Sequence, residues 1–445
     1  FNLGPLGGKA NVVKSGLPGE AKSGLKIAEV YKKGPAKSTG LKVGDVIYGA
    51  GDKVFGDDAY LELADAILQA EGDEAHTLKL KVKRKDELEL TATLVHYADE
   101  GARRKAIRAG ALKWLADEQD SKEGGFYSTM SPEVSQVVLT SLAGLCWLTE
   151  GVDGDYEKNI DLAADFVMDK VGEQKQYKKL AGKNNNQTNW SLAYGGIFLA
   201  QLVKDAESAD YSRSKVNKWR KKLKWIRDRI FKQCEDNGGF AHGPGGENIL
   251  GYIHFEAMSN FCLAALGCIN AAGVEVDAEK LAPLLKYVDD CQMPDGGIGY
   301  ATDKKWFSEE GRTAGAMNAF GALGVADRAS YPKMKAYFEK NIAQAFSGHS
   351  TPTMHQLSVA LCCKRHGIMD KYWESQRREF TMVRNPDFTF AYRPTAETVR
   401  MGDNIDRDIG PVWTTCQWLL ISELENGAAS LWVGTLETAK ADDGD

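Results

Sequence analysis

The chain of 445 residues has no apolar run long enough to cross a membrane. A spanning helix needs about 20 consecutive apolar residues, whereas stretches such as Leu142–Leu148 are short and contain small residues such as Gly144. We therefore predict no membrane span. The sequence also lacks an initiator Met and begins at Phe1, so we expect a processed or truncated product, compatible with a removed signal peptide or a cleaved tag.

The chain has no excess of positive charge either. Its 56 Lys and Arg residues are outnumbered by 62 Asp and Glu residues, and residues 1–98 hold 14 of each sign. Binding of nucleic acid through release of counterions requires an excess of basic groups on the domain that binds. Neither part of the chain meets this condition, and we predict no nucleic-acid partner.

The eight cysteines include no C-x-x-C pair, the spacing that would favour a zinc or redox site. Cys146, Cys262, Cys268 and Cys416 stand in apolar helical contexts and are predicted to be small buried side chains. We predict no cofactor. The hydrophobic fraction of 43% and the charged fraction of 27% are typical of globular proteins, and the length favours two domains.

Residues 1–98 have the pattern of a mixed-β domain. Asp57 and Asp58 favour the start of one helix, predicted over 59–70. Short runs rich in β-branched residues or with alternating polarity predict the strands Leu25–Val30, Asp45–Tyr48, Thr77–Val82 and Glu87–Leu94.

Gly34-Pro35-Ala36 and Gly40-Leu41 lie between the first two predicted strands, and the motif Gly44-Asp45-Val46-Ile47 runs into the second. This run resembles a bacterial PDZ domain. The resemblance implies that the loop containing Leu3, Gly4, Leu6 and Gly7 binds the C-terminus of a peptide or protein partner through its backbone N–H groups. Pro5 departs from the pattern because it has no N–H group, and a PDZ-like fold that only packs on its neighbour is the alternative.

From about residue 103 the periodicity becomes helical. Ser135–Leu148, Phe255–Ile269 and Ala314–Val325 are apolar or small on nearly all sides, which predicts buried inner helices. Arg103–Glu118 and Ser212–Lys232 are amphipathic, as expected for outer helices.

Gly-Gly-apolar turns recur at Gly124-Gly125-Phe126, Gly238-Gly239-Phe240 and Gly296-Gly297-Ile298. Inner helices are predicted to start near residues 133, 190, 254, 312, 353 and 411. Repeated hairpins of this kind complete one another's core. The fold prediction is therefore a multi-domain α+β protein, with a PDZ-like domain at 1–98, an (α/α)6 toroid of about six hairpins at 99–430 and a tail at 431–445.

These turns resemble those of the squalene-cyclase and protein-prenyltransferase superfamily. The combination of both domains resembles a bacterial family of unknown function, which implies a bacterial and exported protein. The catalytic motifs of the superfamily are missing. The run nearest to the D-x-D-D acid of a cyclase is Tyr287-Val288-Asp289-Asp290, and the position expected for the zinc ligands of a prenyltransferase reads Tyr252-Ile253-His254. The C-G-E-Q motif of a thioester domain does not occur.

Candidate site residues lie where loops run into the predicted inner helices, because helix N-termini of such a toroid surround one mouth of its cavity. His254 and Glu256 are two residues apart and cannot both face the centre. The catalytic candidates are His254, Glu256, Arg312, His349 and His355. The predicted cavity-lining residues are Trp190, His242, Tyr252, Tyr300, Tyr392 and Asp403.

Three hypotheses remain open from the sequence. The first is a peptide- or protein-binding scaffold. The second is an enzyme acting on a polar substrate such as a glycan, for which hydrolysis needs two carboxylates about 5–9.5 Å apart; Glu133, Glu256 and Asp403 are the candidates. The third is a metal site formed by histidines, namely His242, His254, His349 and His355.

Overall fold

The computed structural model describes residues 1–127, 132–172, 187–243, 254–303, 306–346, 350–402 and 405–434. The chain divides into two compact units. The first contains Phe1–Trp114 and Trp373–Pro394, and the second contains Leu115–Tyr372 and Thr395–Asp445. The first unit thus extends past the predicted boundary at residue 98 and includes a segment from late in the chain.

The first unit is built on an antiparallel sheet. Its strands are β1 (Gly8–Val13), β2 (Gly24–Val30), β3 (Val46–Ala50), β4 (Lys53–Val54), β5 (Thr77–Lys83) and β6 (Glu87–Thr93). Their order in the sheet is β1-β2-β3-β5-β6, with β4 paired to β3. Along β5, buried Leu78, Leu80 and Val82 alternate with the more exposed lysines, so one face of the sheet covers the core.

Two helices accompany the sheet, α1 (Pro35–Ser38) and α2 (Ala59–Gly72). The carboxylate of Asp58 accepts the N–H of Leu61 at 3.1 Å and so caps α2. The mixed-β prediction is confirmed. The core of this unit also contains the fully buried Met382, which comes from the late segment.

The remaining helices account for most of the chain. They are α3 (Glu100–Glu118), α4 (Pro132–Trp147), α5 (Glu157–Lys170), α6 (Thr188–Ser208), α7 (Arg213–Lys232), α8 (Glu256–Ala271), α9 (Ala278–Asp290), α10 (Glu310–Leu323), α11 (Tyr331–Asn341), α12 (Pro352–Arg365), α13 (Met369–Val383), α14 (Ala396–Met401), α15 (Ile405–Ile409), α16 (Pro411–Glu423) and α17 (Ser430–Val433). None of the described helices is both long and apolar enough to cross a membrane.

In the second unit the inner helices α4, α6, α8, α10, α12 and α16 contact one another in succession, and α16 contacts α4. The ring is therefore closed, and the predicted toroid is confirmed. Cys146 and Cys416 lie at the closing contact, where the Cys146 thiol donates to the Cys416 carbonyl at 3.3 Å. Small residues let inner helices approach closely: a Cβ on Gly267 of α8 would lie 2.6 Å from the Ala322 carbonyl carbon of α10.

The short helix α17 contacts α6, α8, α10 and α12. Arg365 of α12 holds it by donating to the carbonyl oxygens of Trp432 at 3.1 Å and Val433 at 2.5 Å. The stretch predicted as a tail from residue 431 thus begins inside a buried helix.

Candidate functional sites

The loop predicted to bind a carboxylate lies at the start of β1. Gly4–Leu6 forms one turn of 3-10 helix, and Gly4 and Gly7 adopt the positive φ angles of 61° and 84° that favour glycine. Leu3 and Leu6 are fully buried. The four predicted residues do lie together in one turn.

Several N–H groups of this loop are not directed at a ligand. The N–H of Leu3 donates to Gly8 O at 2.9 Å and that of Gly7 to Gly4 O at 3.0 Å, while Pro5 has no N–H group. A carboxylate-binding nest depends on successive free N–H groups. The loop is therefore poorly equipped to bind a carboxylate in this conformation.

The outer edge of β1 carries an extended segment of the same chain. Ala10 N–H donates to Phe1 O at 2.9 Å, and Asn2 pairs with Lys9 in an antiparallel bridge. The Phe1 ring lies 5.2 Å from the ring of Tyr60 on α2. Residues 1–3 thus fill the groove between β1 and α2 by strand addition.

A second segment, Thr381–Pro386, covers the loop and is called the cover segment below. A Cβ on Gly4 would lie 2.8 Å from Thr381 O, and one on Gly7 would lie 2.9 Å from Pro386 Cγ. The Asn2 amide donates to the side-chain oxygen of Asn385 at 3.1 Å. The loop and the cover segment are therefore in direct contact.

A buried ion pair fastens the cover segment to α2. Arg384 donates to both carboxylate oxygens of Glu71 at 2.7 and 2.8 Å, and the two side chains are 3% and 1% exposed. Arg103 approaches the same carboxylate at 3.3 Å, and Arg384 also donates to the Tyr97 hydroxyl at 3.3 Å. Buried charges need such paired and hydrogen-bonded surroundings.

A further pair lies beside the groove. Arg393 contacts Glu379 at 2.6 Å and lies over the rings of Phe1 and Tyr60 at 5.9 and 5.7 Å. Burial raises the pKa of the Glu379 carboxyl, and the Arg393 guanidinium opposes this shift. Tyr392, predicted to line the toroid cavity, belongs to the first unit and lies near Lys9.

In the second unit two of the predicted histidines are held by aromatic partners. The Trp190 indole donates to Nδ1 of His242 at 2.7 Å, and burial lowers the pKa of His242 to about 4. His254 Nδ1 lies 2.8 Å from the Tyr287 hydroxyl. His355 is buried against Gly311, where an added Cβ would overlap its ring.

Among the predicted catalytic candidates, Glu256 is a buried carboxyl with a strongly shifted pKa. It is fully buried; one carboxyl oxygen accepts from the Asn260 amide, and the other has no hydrogen-bond partner among the described residues. Burial raises the pKa of Glu256 to about 8, although the nearby Arg312 guanidinium lowers it. Arg312 itself pairs with Glu309 at 2.6 Å. Glu256 and Arg312 thus lie close enough for their charges to interact.

An aromatic stack adjoins Arg312. Its guanidinium lies 5.7 Å from the ring of Tyr300, and Tyr300 stacks on Trp306 at 4.7 Å with 28° between the rings. Trp306 is 61% exposed and Phe307 is 51% exposed. These two residues were not predicted; an apolar pair in a loop that follows a Gly-Gly turn was the available signal.

The remaining candidates Tyr252, His349 and Asp403 lie outside the described residues, as does the side chain of Glu133. Within the described ranges, no group of three or more His, Cys, Asp or Glu side chains could hold a metal ion.

Comparison with known proteins identifies the first unit. Residues 9–95 match the PDZ domain family. No protein with a curated function matches the sequence. The PDZ match covers the sheet and α2 but leaves out the cover segment, which is therefore an addition of this chain to its PDZ domain.

Among solved structures, a type II terpene cyclase from Scytonema is 15% identical with a TM-score of 0.43, covering 73% of this chain and 99% of that chain. An α-1,6-mannanase of Salegentibacter sp. is 10% identical with a TM-score of 0.49, covering 74% and 99%. Cellobiose 2-epimerase from Bacillus thermoamylovorans is 11% identical with a TM-score of 0.48, covering 73% and 99%. Similarities at this level do not extend to an activity.

One buried carboxyl of the toroid was not singled out by sequence. Asp406 accepts the N–H and hydroxyl of Thr353, both at 2.9 Å, and the indole N–H of Trp413 at 2.7 Å. Burial raises the pKa of Asp406 to about 6. Since it joins the start of α12 to the start of α16, its hydrogen bonds brace two inner helices.

Proposed function

We propose that this chain is a protein-binding scaffold whose PDZ domain recognises an extended polypeptide segment. One observation carries this proposal: the edge of β1 is already paired with the extended residues 1–3. The groove therefore accepts an added strand, and its aromatic wall at Tyr60 accepts a large side chain.

The site is held closed in cis by residues 1–3 and by the cover segment. A partner segment binds by displacing them, and its apparent affinity is reduced by the fraction of molecules that are closed. Because Leu3 and Gly7 have committed N–H groups and Pro5 has none, backbone pairing contributes more to recognition than a terminal carboxylate does.

The test opens the site and measures binding. Arg384→Gln removes the guanidinium that joins the cover segment to Glu71, and Pro386→Ala removes the contact with Gly7 while leaving that ion pair intact. Hydrogen exchange of the backbone amides of residues 381–385 reports release of the cover segment. Arrays of extended peptides, each with a free and an amidated C-terminus, report binding.

We expect faster exchange and at least about tenfold tighter peptide binding in the opened variants, with little dependence on amidation. Unchanged exchange in both variants contradicts closure in cis. Faster exchange without binding of any peptide contradicts the scaffold function but agrees with closure in cis.

Glu256 supports a second candidate function, acid–base chemistry on a polar substrate. A carboxyl that stays protonated near neutral pH can act as a general acid, and the exposed rings of Trp306 and Phe307 offer a nearby contact surface. Glu256→Gln is compared with Glu310→Gln, a second buried carboxyl, in binding and hydrolysis assays on a glycan array. Loss confined to Glu256→Gln supports this candidate, and equal behaviour contradicts it.

A further inference from the structure

Helix α7 concentrates positive charge in a chain whose formal net charge is -6. Its 20 residues contain ten Lys and Arg and a single acidic residue, Asp228. The buried stripe of the helix consists of Val216, Trp219, Leu223, Ile226 and Ile230, which follow the spacing of one helix face. The basic side chains are consequently left to the other faces.

Part of this charge is neutralised inside the second unit. Lys215 pairs with Asp161 at 2.6 Å, Arg220 pairs with Glu207, and Arg227 pairs with Asp228 at 2.8 Å. The single carboxylate of the helix is therefore already occupied.

Four exposed lysines are not neutralised in this way: Lys218, Lys221, Lys224 and Lys232. We call them the lysine face. None of the four has a carboxylate partner among the residues that the structure describes. Like charges on one helix face repel one another, so the lysine face gains stability from an external anionic surface.

Trp225 lies beside this face and is 41% exposed. The Lys222 ammonium lies 4.4 Å from its ring centroid. Tryptophan and lysine together are enriched where proteins meet lipid headgroups. Lysine is depleted from protein–protein interfaces, which makes an acidic protein a poorer match.

We propose that the lysine face and Trp225 form a peripheral docking surface for anionic lipid headgroups. The surface lies entirely on α7, and this inference is independent of the function proposed for the PDZ domain.

The test uses the full chain in co-sedimentation with phosphatidylcholine vesicles, with and without about 30% phosphatidylserine. The variant carries Lys218→Gln, Lys221→Gln, Lys224→Gln and Lys232→Gln. The control carries the same change at four exposed lysines of the first unit, Lys14, Lys32, Lys37 and Lys53. Circular dichroism confirms that both fold.

A lysine close to an anionic membrane contributes about fivefold to partitioning. The α7 variant should therefore bind at least about a hundredfold more weakly than the control, and binding should fall as salt rises. Equal binding to both vesicle types, absent binding by the parent chain, or equal loss in variant and control overturns the proposal. Duplex DNA and polyglutamate are tested in parallel, and retention on either without vesicle binding assigns the face to another anion and also overturns it.

Discussion

Both units bury carboxyl groups, and Glu71 of the PDZ unit has different surroundings from Glu256 and Glu310 of the toroid. Glu71 in the PDZ unit is surrounded by the guanidinium groups of Arg384 and Arg103. Glu256 and Glu310 in the toroid each keep at least one oxygen without a hydrogen-bond partner among the described residues. Since an isolated buried charge is costly, the first arrangement fixes an ion in place and the second favours the neutral acid.

The largest loss of stability is expected when the paired carboxylate is removed. Glu71→Ala leaves Arg384 buried without its main partner, and loss of one member of a buried pair costs about 3–5 kcal/mol. Urea denaturation of the PDZ unit should show this loss. The double variant Glu71→Leu, Arg384→Met is the control, and it should recover much of the stability. Failure to recover would mean that packing rather than charge explains the effect.

The unpaired carboxyls are tested by pH. The pKa of Glu256 is raised to about 8 from an ordinary value of 4.5, so its stabilising contribution is complete below pH 4.5 and is lost as the pH rises through 8. Between these values the stability of the parent protein should fall relative to Glu256→Gln, with a slope of at most about 1.4 kcal/mol per pH unit. Parallel stability curves from chemical denaturation would contradict protonation of this group.

A pair of glycine substitutions tests the contact between the loop and the cover segment. Gly4→Ala and Gly16→Ala both place a side chain at a positive φ, 61° and 68°, which costs about 1–2 kcal/mol. Only at Gly4 does the new Cβ meet Thr381 O, at 2.8 Å, while Gly16 has open space. The melting temperature should therefore fall further for Gly4→Ala. Equal shifts would show that the cover segment yields freely.

The smallest effect is expected from an exposed ion pair between α13 and α2. Arg378 lies 3.2 Å from Asp65 of α2, and both side chains are about half exposed. Exposed pairs contribute roughly 0–1 kcal/mol. Arg378→Gln should consequently change thermal stability very little, and a large change would mean that closure depends on surface charge as much as on Glu71.

Much of the architecture could be predicted because its signals are local. The Gly-Gly turns and the apolar inner helices predicted the ring, and the motif ending in Gly44-Asp45-Val46-Ile47 indicated the PDZ domain. Pro5, which has no N–H group, was the visible departure of this loop from the carboxylate-binding pattern that the PDZ resemblance implied.

The contacts that close the PDZ domain could not be predicted in the same way. Glu71 and Arg384 are separated by 313 positions, and no pattern within either segment specifies the other. Tyr392 was placed with the toroid for this reason. The positive charge of α7 was missed because charges were summed over whole domains, and such totals conceal its ten basic residues.

The interleaving of the two units has a consequence for synthesis on the ribosome. The PDZ unit needs Trp373–Pro394 to complete its core, and the ring of inner helices needs α16 to meet α4. Domains made early in translation commonly fold before later ones. Here the amino-terminal module must wait until Trp373–Pro394 has emerged, so the nascent chain exposes unfinished apolar surface while the toroid helices are made and is a natural client for chaperones.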